Sequence, residues 1–198
     1  MPKTFSRAFA RRFGLAPRAY RQRGTLHARD PLPAHTAKTS SAGDYALSTT
    51  RIQYLRPQHI AAHRHTGYYE ELGADLWADL TEDIEGRGLT VQRYLGVGWD
   101  PPSDHARFDA AATVAGDFTP SGRLTKLDVP AGPYALTSHV GPYLSLTDAM
   151  MEIVQAVMAL DGYVVVGSPV VEVYHTDFVD DRRPTNLTDI YMLVTESN

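Results

Sequence analysis

The chain has 198 residues, a formal net charge of −4 and 43% hydrophobic residues, which suits one domain with a real core and a short appendage. It has no cysteine, which excludes disulfides, thiolate metal sites and a cysteine nucleophile. No apolar run approaches the ~20 residues of a membrane helix and the basic N-terminus lacks the apolar stretch of a secretory signal, so a cytoplasmic protein with no membrane partner is expected.

The charge is uneven. Residues 1–29 hold eight of the nineteen Lys+Arg and no acid, leaving 11 basic against 23 acidic groups in the rest. A basic end on an acidic body predicts polyanion contact at one end only. Phe5, Phe9 and Phe13 recur at helical spacing with Arg7, Arg11 and Arg12 largely off that stripe, and Gly14 stands where a C-cap belongs. Pro17 suits the first turn of a second short helix through Arg23. The run Phe5-Ser6-Arg7-Ala8-Phe9, followed by Phe13-Gly14-Leu15-Ala16-Pro17 and Tyr20-Arg21, resembles the end of the AraC-type helix-turn-helix DNA-binding domain. The resemblance implies that Arg7, Arg11 and Arg12 face DNA. The family's earlier helices have no counterpart before Met1. Residues 1–23 are therefore expected to be a helical remnant of a truncated regulator, with DNA as a partner only if those helices are restored.

Residues 24–50 are rich in Gly, Pro, Ser, Thr and Ala and read as a flexible linker. The body, 51–196, says one phrase twice: His65-Thr66-Gly67-Tyr68 and His139-Val140-Gly141-Pro142-Tyr143 both open a His-x-Gly-x-Tyr-x-x-Leu pattern, 74 positions apart. A strand-like run precedes each copy, Ile52 to His63 with a turn or edge at Pro57, and Leu127 to His139 with a turn near Ala131. A helical stripe follows each, Leu72 through Ile84 and Leu146 through Val157, and then further strands. The predicted fold is α+β: two pseudo-symmetric strand-helix-strand-strand repeats with antiparallel sheets, helices on one side and a ligand groove on the other.

The two phrases, with Arg107-Phe108-Asp109-Ala110, Pro130-Ala131-Gly132, Val171-Glu172-Val173-Tyr174 and Thr188-Asp189-Ile190-Tyr191-Met192-Leu193, resemble a GyrI-like effector-binding domain over about Arg51 to Val194. That resemblance implies a groove for an amphipathic, cationic or aromatic small molecule, with an acid among aromatics at its base. The family's last strand often has Glu and Pro where this chain has Asp189 and Leu193.

Glu172 and Asp189 are acids inside otherwise apolar strand runs, which places a carboxylate in low dielectric where an organic cation would be held. Alternation puts Glu172 on the face of Val170 and Tyr174, and Asp189 on that of Tyr191 and Leu193. Trp99, Tyr174, Tyr191, Tyr68 and Tyr143 complete the candidate ligand residues, with packing as the competing role for the tyrosines. Function is expected where Trp99, Glu172 and Asp189 meet. His63 and His65 have metal-pair spacing but no third ligand, and His65 has a counterpart in His139, which points to structural hydrogen bonds. Gly96-Val97-Gly98 precedes no helix and is no dinucleotide loop. No cofactor, no metal and no catalytic residue is assigned. The leading expectation is the effector-binding domain of an AraC-family regulator. The alternatives are a hydrolase of cyclopropane-bearing electrophiles, with Glu172 or Asp189 as base, and a protein that sequesters a macromolecule.

Overall fold

A computed structural model describes residues 36–40, 43–67, 73, 75–100, 106–175 and 182–197. Ten strands form one sheet: β1 (Thr36–Lys38), β2 (Tyr45–Leu47), β3 (Arg51–Leu55), β4 (Gln58–Gly67), β5 (Val91–Gly98), β6 (Ala106–Val114), β7 (Thr125–Val129), β8 (Gly132–Val140), β9 (Tyr163–Tyr174) and β10 (Leu187–Glu196). The α-helices among the described residues are α1 (Asp75–Glu85) and α2 (Leu146–Met158). No helix among the described residues is long and apolar enough to cross a membrane.

The strand order is β1-β2-β8-β10-β9-β5-β6-β4-β7, with β3 also beside β8, and every pairing is antiparallel. The order strand-helix-strand-strand occurs as β4-α1-β5-β6 and again as β8-α2-β9-β10. Read outward from the central β5·β9 pair, the strands run β6, β4 on one side and β10, β8 on the other.

Two short connections decide the shape of this sheet. Arg56-Pro57 joins β3 to β4, and Pro130-Ala131 joins β7 to β8, yet the joined strands lie near opposite edges. Three Cα steps reach at most about 11 Å. Laid flat, β3 and β4 would stand about 29 Å apart at the usual interstrand spacing. The sheet must therefore roll until its edges approach. The strand-like run from Ile52 to His63 is two strands divided at the expected turn: Pro57, which cannot donate a ladder hydrogen bond, marks where the chain leaves one edge for the other.

Rolling gives the sheet an inner and an outer face. The inner face is a packed core with no helix on it, including Leu55, Ile60, Leu95, Tyr134, Val173 and Tyr191. The outer face carries both helices. Trp77, Leu80 and Ile84 of α1 and Ala149, Ile153 and Val157 of α2 join its core with Phe108, Ala110, Ile190 and Met192. Each large apolar side chain so buried contributes roughly 1.5–3 kcal/mol of transfer free energy. The helices lie on one side as expected, but the groove expected on the other side is corrected. The helix-free side is filled, so an open site must share the outer face with the helices.

The linker expected through residue 50 is also corrected in its second part. β2 pairs with the end of β8, and Tyr45 and Leu47 are buried in the outer core. Residues 1–35 lie outside the described residues, and with them Arg7, Arg11, Arg12 and the expected helical remnant.

The repeated phrase acts as a joint. Gly67 ends β4 and Gly141 directly follows β8, with φ of 156° and 158°. A Cβ on Gly141 would stand 2.6 Å from the Tyr45 Cβ, so a side chain is excluded there. Ser145 Oγ donates to the Pro142 carbonyl at 2.7 Å, so its remaining contact, with His139 Nε2 at 2.9 Å, is one in which it accepts. His139 is therefore the Nε2–H tautomer. It stacks on Tyr45 with centroids 5.4 Å apart, and burial pulls its pKa from 6.5 down to about 4, keeping it neutral. Its counterpart His65 has no hydrogen-bond partner among the described residues at its buried Nε2, so the matching hydrogen bond expected there is not formed at that atom; His63, two residues before the phrase, reaches α1, where Nε2 lies 2.9 Å from Asp83 Oδ2. That hydrogen bond, helped by Arg87, holds the Asp83 carboxyl below its usual range.

Candidate functional site

The central strands β5 and β9 run antiparallel with Gly96 opposite Glu172 and Gly98 opposite Val170. α1 packs on β4, β5 and β6, and α2 on β8 and β9. Small residues in β5 are what leave room for large ones in β9. A Cβ at Gly96 would come within 2.5 Å of the Phe108 ring and 2.6 Å of the Tyr174 hydroxyl. Gly96-Val97-Gly98 is thus a floor that lets Tyr174 lie across its neighbouring strand.

Above β9, beside α2, opens a cavity of about 490 Å3. Met150, Met151 and Val154 of α2, Val165 and Val170 of β9 and Met192 of β10 supply apolar walls. Three of the chain's five methionines thus meet here; their flexible thioethers suit a wall that must fit ligands of variable shape. Two carboxylates border the cavity. Glu172 is 3% exposed, whereas Asp100, past the end of β5, is exposed at the mouth. No Lys, Arg or His lines it among the described residues.

Glu172 is held by an aromatic cluster. The Tyr174 hydroxyl donates to Glu172 Oε2 at 2.5 Å. The Tyr174 ring meets Trp77 and Tyr143 edge-on, at centroid distances of 5.5 and 5.4 Å. The Trp77 indole N–H donates to the Leu95 carbonyl at 3.0 Å, which fixes that ring as scaffold. Glu172 thus places a carboxyl group, anchored by the Tyr174 hydroxyl, at the border of the cavity.

The inner face carries two other buried acids. Asp109, 1% exposed, accepts from Trp99 Nε1 at 2.6 Å and from Arg107 at 3.0 Å, and Arg64 Nε stands 3.5 Å away. The Arg107 guanidinium also lies 4.5 Å from the Trp99 ring centroid. Asp189, 1% exposed, accepts from Ser138 Oγ at 2.5 Å, and its other oxygen is 3.2 Å from His175 Nε2. Asp109 pairs with Arg64 and Val97 in register, and Asp189 with Ser138 and Val173, so each half places its acid on the equivalent strand.

The expected meeting of Trp99, Glu172 and Asp189 does not occur. Glu172 and Trp99 border the cavity, although the Trp99 indole points its N–H to Asp109 and packs on the inner core. Tyr174 and Tyr143 stand behind Glu172. Asp189 and Tyr191 are on the inner face, where Tyr191 packs against Tyr134. Tyr68 lies outside the described residues. Asp100 and the methionine walls were missed: Asp100 reads as part of a Pro-rich turn, and Met150 as one more residue of a helix stripe.

The fold has known counterparts. The C-terminal domain of EcmrR aligns with a TM-score of 0.60 at 17% identity, over 75% of this chain and 98% of that one. EcmrR has also been solved in a complex with DNA; there the match has a TM-score of 0.59 at 17% identity, over 77% of this chain, and spans 58% of the EcmrR chain. SAV2435 bound to tetraphenylphosphonium aligns with a TM-score of 0.54 at 15% identity, over 74% and 92% of the two chains. A hydrolase of Listeria innocua gives 0.53 at 15% identity, over 74% and 92%. Comparison with curated proteins gives no significant match. The profile of the GyrI-like small molecule binding domain matches residues 48–195, about three quarters of the chain, from β3 to all but the last residue of β10, and the chain belongs to that family.

Proposed function

We propose that this chain is the ligand-sensing part of a DNA-binding transcriptional regulator of the AraC type, and that its ligand is an amphipathic, aromatic or cationic small molecule. The observation that carries the reading is Glu172, a buried carboxylate bordering an apolar cavity of about 490 Å3. An organic cation entering that cavity exchanges water for thioether and aliphatic contacts and meets a fixed negative charge in low dielectric. Binding of tetraphenylphosphonium by SAV2435, which shares the fold, supports the cationic class, and the DNA complex of EcmrR supports attachment to a DNA-binding part. Under this reading residues 1–23, with Arg7, Arg11 and Arg12, belong to that part, and occupancy between α2 and the sheet biases it.

Isothermal titration with tetraphenylphosphonium tests the reading. Glu172→Gln is expected to weaken binding at least tenfold, about 1.4 kcal/mol or more, with little change in fold stability. Absence of binding to the wild type, or equal affinities in the two proteins, overturns it. A second reading, hydrolysis of an electrophilic ligand with Glu172 as base, draws on the fold shared with the Listeria innocua hydrolase. It requires turnover that Glu172→Gln abolishes.

A further inference from the structure

The cavity has a second carboxylate, and its position carries information about the ligand. Gly96, Gly98 and Asp100 follow one another at period two along β5 and its continuation. The ladder persists past Gly98, since the Trp99 N–H donates to the Arg107 carbonyl at 3.1 Å. Asp100 is therefore on the face of Gly96, and so on that of Glu172, its cross-strand partner. The Arg107 backbone N–H donates to Asp100 Oδ2 at 3.1 Å, which holds the carboxylate at the turn. The Arg107 guanidinium is turned to Asp109 and the Trp99 ring.

Four strand steps separate Asp100 from Gly96, the position opposite Glu172, about 13 Å at ~3.3 Å per residue. Between them the cavity is walled by Val170, Met150, Met192 and Val154, and no cationic side chain lines it among the described residues. The site thus presents a carboxyl group at each end of an apolar trough. One is buried; the other is exposed and screened by solvent.

We infer that the ligand class of this site is dicationic: two positive groups joined by an apolar spacer of about 13 Å. The inference rests on the cation-binding reading above and adds Asp100 as a specificity-determining residue. A saturated spacer of about ten carbons spans that length, given C–C bonds of about 1.5 Å. The buried cation takes most of its affinity from Glu172 and the thioether walls. The second cation gains a two- to fivefold contribution from Asp100, the scale of an exposed ion pair.

The test is isothermal titration of wild type, Asp100→Asn and Glu172→Gln with two probes: decane-1,10-bis(trimethylammonium) and decyltrimethylammonium. Asp100→Asn keeps an oxygen to accept from the Arg107 N–H, so unchanged melting is expected and is checked first. The expected result is a two- to fivefold loss for the bis-cation in Asp100→Asn, vanishing at high salt, with the mono-cation unaffected. Glu172→Gln should weaken both probes. If Asp100→Asn weakens both probes equally or neither, while Glu172→Gln still weakens both, the dicationic inference is overturned and the cation-binding reading stands. If Glu172→Gln changes neither, both fall. A spacer series of six, ten and fourteen carbons gives an independent check. Affinity should gain most per added charge at ten, and a gain that is the same at all three lengths counts against a second fixed anion.

Discussion

The outer and inner faces of the rolled sheet treat buried acids in different ways. On the inner face Asp109 is tied to Trp99 and two arginines, and Asp189 to Ser138 and His175. On the outer face Glu172 takes a hydrogen bond from Tyr174 and borders a cavity of about 490 Å3. All three are almost fully buried. Burial of an acid in a strand is therefore no guide to its role. What separates the three is whether the carboxylate has been closed over by the protein's own polar groups or opens onto space that a ligand can fill.

The largest expected effect breaks the inner pattern. Asp109→Ala leaves the Trp99 N–H and Arg107, whose side chain is 31% exposed, without their shared acceptor. Losing one partner of a buried pair costs about 3–5 kcal/mol, and solvent reaching the arginine puts this loss at the low end. Denaturant unfolding should show a loss of this size, set against little or no loss for Glu172→Gln. Similar losses for both would mean that Glu172 is as structural as Asp109.

The neutral histidine of the outer face gives the next effect. The unfolded chain takes up a proton at His139 near pH 6.5 that the folded chain refuses until about pH 4. Stability is therefore lost as pH falls through that window, and a shift of this size amounts to about 3 kcal/mol. Asp83 acts lower: its folded pKa lies below 3.8, so its contribution is present above that value and lost only as pH falls through the depressed one. His139→Gln keeps an N–H donor for Ser145 and cannot take up the proton. Urea unfolding at pH 7 and pH 4.5 should give a steep loss for the wild type and a shallower one for the variant. Equal slopes would show that His139 is solvated.

Much of this was legible in the chain itself, and the failures share one cause. The stripe Leu146, Met150, Ile153, Val157 has helical period, and α2 is there. Alternation sorts Glu172 from Val173 and Asp189 from Ile190 within each strand, as observed. It cannot say which face of a strand is closed. That depends on Arg56-Pro57 and Pro130-Ala131 carrying the chain between the sheet's edges, a property of the assembled topology. Asp109 shows the same limit. It stands inside a recognisable motif, but Arg64, which faces it, comes from a strand 45 residues earlier, too far for any local pattern. Tyr45 and Leu47 are not legible as core, because their neighbours are linker-like and their burial comes from β8 and α2.

The smallest effect sharpens the assignment of faces. Tyr191 was a candidate ligand residue, and it lies in the inner core with its ring centroid 6.4 Å from that of Tyr134. Its neighbour Met192, pointing the other way, forms part of the cavity wall. Tyr191→Phe removes one buried hydroxyl without opening a void, so the cost should be small, about 1 kcal/mol. Tetraphenylphosphonium affinity should stay within twofold of the wild type, because the backbone of β10 and hence Met192 are unmoved. Titration and unfolding of the same preparation check both halves. A Tyr191→Phe protein that keeps its stability but loses the ligand would place the site on the inner face. The packed core around Leu55, Ile60 and Tyr134 would then have to open to admit a molecule, at a cost on the scale of the fold's own stability.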